Sequence, residues 1–80
     1  MSKLDALRMQ IDDIDAQMIA LFEKRMAVTR QVGEYKKEHD LPVLDRKREE
    51  EVLAKKEAML KNKYLKTEVK DFFSSIMAIS

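Results

Sequence analysis

Eighty residues with 16 basic and 15 acidic side chains, a formal net charge of +1, no cysteine and one histidine, His39, describe a single domain, residues 1–80, near the low end for a self-sufficient core. The charge balance excludes the basic excess of a nucleic-acid binder, and the missing Cys and lone His exclude disulfides, thiolate metal sites and His-rich metal sites. One Gly, one Pro and 39% charged residues describe an all-α chain; with no membrane-spanning apolar run and no secretory signal in the opening MSKLDALRMQ, the expectation is a soluble, cytoplasmic protein.

The first predicted element is a helix from about Lys3 to about His39. Read as heptads, its a and d positions are Leu4, Leu7, Ile11, Ile14, Met18, Leu21, Arg25, Val28, Val32 and Tyr35. All but Arg25 are apolar or aromatic. A guanidinium among Leu, Val and Met costs several kcal/mol unless an anion meets it, either a carboxylate of the protein or an anionic ligand. Arg8 and Lys36 take e positions beside the seam. Arg25 and Lys36 are separated by about three turns, so they point the same way. Gly33 is the one irregularity, costing about 1 kcal/mol relative to Ala. Such a helix is roughly 55 Å long, whereas a compact globule of this length is roughly 30 Å across. The seam therefore overshoots its own globule, and a homodimer with the long helices packed along each other is the simplest cover.

His39-Asp40-Leu41-Pro42 breaks the pattern, because Pro42 disfavours helix at Leu41 and cannot continue the hydrogen-bond ladder. A second helix is expected from near Val43 to Asp45 as far as about Asn62, with Asp45 as its cap or first-turn acid. Its apolar stripe is Val52, Leu53, Met59 and Leu60. Extended backward, the stripe meets Glu49, Arg48 and Asp45, which puts two carboxylates and a guanidinium on the inward face. The third helix is expected from about Leu65 or Thr67 to the end, after a break near Asn62 to Lys66 that neither Gly nor Pro marks. Its stripe is Leu65, Val69, Phe72, Phe73 and Ile76, with Ser80 as the next inward position.

Each charged residue has an ordinary reading: Arg25 as a register device or snorkelling side chain, Arg8 and Lys36 as flanking charges, Asp45 as a cap, Arg48 and Glu49 as a solvated first turn. Taken together, inward cations on helix 1 and an Asp/Arg/Glu face on helix 2 suggest a polar pocket in an apolar bundle, with cations in excess. That pocket suits a small di-acid, since Arg grips a carboxylate in two-pronged fashion and the inward acids accept from a ligand hydroxyl. No Ser-His-Asp set, reactive Cys, glycine-rich phosphate loop or metal cluster is available. An enzyme built this way uses no covalent or metal chemistry and no cofactor.

The segments LDALRMQIDDIDAQMIALFEKRMAV, QVGEYKKEH and PVLDRKREEEVL, with a looser match through DFFSSIMAIS, resemble the all-helical chorismate mutases over nearly the whole chain. The ordered set of Arg8, Arg25, Lys36, Asp45, Arg48 and Glu49 makes the likeness specific. The resemblance implies three helices per chain in an intertwined homodimer that rearranges chorismate to prephenate in aromatic amino acid biosynthesis. It implies that Arg25 and Arg8 bind the two carboxylates of chorismate, with Arg8 reaching in from the partner subunit. Lys36 would contact a carboxylate and the ether oxygen of the breaking bond. Glu49, with the start of helix 2 around Asp45 and Arg48, would hold the ring hydroxyl, and Ser80 would lie near a substrate carboxylate. Catalysis would come from holding the reactive chair-like conformer and stabilising negative charge on the enolpyruvyl oxygen.

The family places a Gln one turn beyond Ser80, where this sequence ends. The expectation is therefore a fragment, or the catalytic domain of a larger aromatic-biosynthesis enzyme, in which full activity is not expected of these residues alone. Two other readings stand beside this one. An isochorismate pyruvate-lyase fits the Asp45/Arg48/Glu49 set less well. A non-catalytic helical dimerisation module would use Arg25 as a register device.

Overall fold

The computed structural model describes residues 2–42 and 45–79. Three helices follow one another, α1 (Lys3–Glu38), α2 (Arg46–Met59) and α3 (Lys66–Ile79), with a 3-10 turn at Lys63–Leu65 and no strand among the described residues. The chain divides into two units, Met1–Val32 and Gly33–Ser80.

The first unit is α1 as far as Val32. Ser2 opens it: its hydroxyl accepts from the Asp5 N–H at 3.1 Å and its carbonyl from the Ala6 N–H at 3.2 Å, which satisfies donors that the first turn leaves without helical partners. Asp5 adds a negative charge at the positive end of the helix dipole. The expected seam is present and open. No described residue of the chain is fully buried, and every apolar a or d residue from Leu4 to Val32 is exposed. A helix in a protein takes most of its stability from packing its apolar face, and the apolar a and d side chains of this unit are left exposed.

The second unit contains the end of α1, then α2 and α3. α1 stops at Glu38, where the chain takes a left-handed turn at Asp40 (φ 54). The Leu41 N–H donates to the Lys36 carbonyl at 2.8 Å and the Asp40 N–H to the Lys37 carbonyl at 3.5 Å. This is the paired closure that usually employs glycine. The single Gly33 is used elsewhere: it sits inside α1, where an added Cβ would meet nothing within 4 Å, so no packing within the chain requires it. His39 stacks on Tyr35, with ring centroids 4.0 Å apart, and its Nδ1 lies 2.9 Å from the Tyr35 carbonyl oxygen.

Two positions named from the sequence, Val43 as a possible start of the second helix and Ser80, lie outside the described residues. α2 ends at Met59, short of the expected Asn62, because Leu60 turns extended (φ -65, ψ 130). The Lys63 ammonium then donates to the carbonyls of Glu57 and Ala58, at 3.2 Å each. A lysine cap replaces the Gly or Pro that would have marked the break. Asn62 opens the 3-10 turn by accepting from the Tyr64 N–H at 3.1 Å, and that turn runs directly into α3.

α2 and α3 pack on each other. Val52, Leu53 and Lys56 on α2 and Leu60 just beyond its end are half-buried, as are Val69, Phe73, Ile76 and Met77 on α3. The Phe72 and Phe73 rings meet edge to face at 5.2 Å, Lys56 Nζ lies 5.8 Å from the Phe73 ring centre, and Lys66 approaches Glu57 at 3.9 Å. The expected stripes need correction at three places. Met59 is 73% exposed, and Leu65 and Phe72 are also exposed. Met59 shares a face with Val52 by periodicity but is the last residue of α2. Periodicity fixes a direction, not whether another element lies there.

Candidate active site

Seven residues were singled out by sequence, and the six among the described residues fall into three groups. Arg8 and Arg25 both lie on α1 within the first unit. They are 17 residues apart (25 − 8), which is about 25 Å along the axis and about 100° around it. Two Arg side chains of one helix cannot close that gap on one small di-acid, so the structure does not bring them together within a chain. Arg8 is exposed. Arg25 is half-buried, although its apolar seam neighbours Leu21 and Val28 are 63% and 57% exposed. The cation is thus more covered than these seam neighbours; Met26 and Thr29, which flank the seam, are also half-buried, and the Thr29 hydroxyl donates to the Met26 carbonyl at 3.0 Å.

Lys36 is half-buried in the last turn of α1, where it and Lys37 complement the negative end of the helix dipole. Its carbonyl is the acceptor of the closing bond from Leu41.

Asp45, Arg48 and Glu49 are brought together around the first turn of α2. Asp45 is the cap, in an extended conformation (φ -137, ψ 96), and its Oδ1 accepts from the Arg48 N–H at 3.1 Å. Its carbonyl accepts from the Glu49 N–H, also at 3.1 Å. The backbones of Arg48 and Glu49 are therefore both tied to Asp45. Glu49 is half-buried, whereas Asp45 and Arg48 are exposed, so the inward polar face expected of all three is realised in this chain only at Glu49. Ser80, the seventh, lies outside the described residues.

Chemically, these groups offer permanent or strongly basic cations for anionic oxygens and one partly covered carboxylate as a hydrogen-bond acceptor. Among the described residues, no group of three or more His, Cys, Asp or Glu stands where it could hold a metal ion, and no helix is long and apolar enough to cross a membrane. Sequence reasoning passed over Asp40. The signal was available: an Asp tolerant of left-handed backbone, two residues before a proline and beyond the last helical turn.

The family model for chorismate mutase type II matches residues 7–80. Among curated proteins, a T-protein of Haemophilus influenzae is 43% identical over 49 residues, covering 61% of this chain and 13% of that protein. A T-protein of Enterobacter agglomerans is 40% identical over 53 residues, covering 66% of this chain and 14% of that protein. The chain thus spans about a seventh of the length of these relatives. No solved structure gives a significant match.

Proposed function

The chain belongs to the chorismate mutase type II family, and on that premise we propose that it rearranges chorismate to prephenate as a cytoplasmic enzyme of aromatic amino acid biosynthesis, working as a homodimer with shared active sites. The observation that carries the reading is the extent of the family match, which spans every one of Arg8, Arg25, Lys36, Asp45, Arg48, Glu49 and Ser80. The open seam of α1 supports the homodimer, since a second copy of the same amphipathic helix presents a complementary apolar face. The separation of Arg8 from Arg25 supports pockets that take one of these residues from each chain.

In the rearrangement one C–O bond breaks as one C–C bond forms within the same molecule, so neither a proton nor a covalent intermediate is required of the protein. Arg25 and Arg8 of the partner subunit grip the two carboxylates and hold the substrate in its folded, chair-like conformer. Lys36 meets a carboxylate and the ether oxygen, where negative charge grows as the bond breaks. Glu49, on the turn set by Asp45 and Arg48, accepts from the ring hydroxyl, and Ser80 stands near a carboxylate. The test is loss of chorismate absorbance, followed by acid conversion of the product to phenylpyruvate. Chorismate that persists both with this chain and with the chain extended by a further C-terminal turn, or is consumed without yielding phenylpyruvate, refutes the proposal.

A further inference from the structure

Among the described residues, Asp40 is the only non-glycine residue with a positive φ. A residue with a side chain in the left-handed region carries strain that persists only where its surroundings demand it, and such residues concentrate at functional sites. The demand here is the pair of hydrogen bonds that close α1, from Leu41 to the Lys36 carbonyl and from Asp40 to the Lys37 carbonyl. Both require the backbone to reverse over the helix end, which the left-handed conformation of Asp40 achieves. The shorter bond, at 2.8 Å, ends on Lys36 itself. His39 braces the same turn through its ring contact and hydrogen bond to Tyr35, and Pro42 prevents the helix from running on.

We infer that Asp40 is a positioning residue for Lys36: its backbone, not its carboxylate, closes the last turn of α1 and keeps the Lys36 side chain aimed at the substrate. The inference rests on the role proposed above for Lys36. Glycine enters the left-handed region freely and Asn tolerates it, whereas the branched side chain of valine resists it. When the turn opens, Lys36 is displaced. The contact it makes in the transition state is lost, while the arginines continue to bind the ground state.

The experiment compares Asp40→Gly, Asp40→Asn, Asp40→Val and Lys36→Ala with the wild-type protein, measuring kcat and KM for chorismate per folded site and hydrogen exchange at the Leu41 amide. Asp40→Gly and Asp40→Asn should keep wild-type kcat and a protected Leu41 amide. Asp40→Val should lose that protection and lower kcat roughly fivefold to tenfold at little changed KM. Equal losses in the glycine, asparagine and valine variants would assign the work to the carboxylate and overturn the inference. Wild-type kcat in Asp40→Val with an unprotected Leu41 amide would overturn it as well. Where the valine variant does not fold, Asp40→Ala, with an intermediate tolerance, should show a smaller loss of the same kind, and an unprotected amide at full kcat there overturns the inference. Full kcat in Lys36→Ala is a separate failure, because it removes the role of Lys36 itself.

Discussion

The proposed sharing of pockets between two chains can be tested by complementation between two inactive variants. Arg8 and Arg25 are about 25 Å apart along α1, so a pocket that uses both must draw them from different chains. Removing one partner of a buried, hydrogen-bonded charge pair costs about 2–5 kcal/mol, which is roughly thirtyfold or more in rate. Arg8→Ala and Arg25→Ala homodimers should therefore each retain at most a few per cent of wild-type activity, by the same conversion. In a heterodimer of the two, one pocket carries both lesions and the other carries neither. Random assortment makes about half of the dimers mixed, so about a quarter of all pockets are intact by symmetry. Coexpressed or co-refolded protein, assayed by the loss of chorismate absorbance, should recover about that quarter. Two different affinity tags would verify that mixed dimers are present. Mixed dimers no more active than the parents would refute the reasoning, because a pocket using Arg8 and Arg25 of the same chain leaves one lesion in every site.

Three further outcomes follow from the same geometry. Arg25→Lys should remain severely impaired, since an ammonium cannot reproduce the two-pronged grip of a guanidinium, and a fully active Arg25→Leu would show that Arg25 only sets helix register. Glu49→Gln should lower kcat less than Lys36→Ala, because an amide oxygen still accepts from a hydroxyl whereas the charge on Lys36 acts in the transition state; the reverse order in steady-state kinetics would contradict these roles. Asp45→Ala should destabilise the fold by about 1 kcal/mol, lowering the midpoint of thermal unfolding by about 4–8 °C, while Asp45→Ser should be nearly neutral; an unchanged midpoint in the alanine variant would show that the hydrogen bond to the Arg48 N–H contributes nothing.

Much of the molecule is legible in the amino-acid sequence. Amphipathic period, helix propensity and the backbone restriction at Pro42 act over a few residues, so α1, the break after it, and the existence of α2 and α3 follow from local chemistry. The family-like order of Arg8, Arg25, Lys36, Asp45, Arg48 and Glu49 is likewise a property of the sequence. The closing of the helix ends is not, because it depends on which polar groups come within hydrogen-bonding distance once the chain turns. Lys63 reaches back to the Glu57 and Ala58 carbonyls, Asp40 adopts φ 54 where glycine is usual, and Asn62 starts a 3-10 turn where no Gly or Pro announced one. Asp45 could have been a cap or a first-turn acid, and its bond to the Arg48 N–H decides for the cap. Burial, too, is decided in three dimensions. The heptad marks Arg25, Leu21 and Val28 as one seam, yet the cation is the more covered of the three, because periodicity sets only the direction of a side chain, and coverage depends on what stands opposite it.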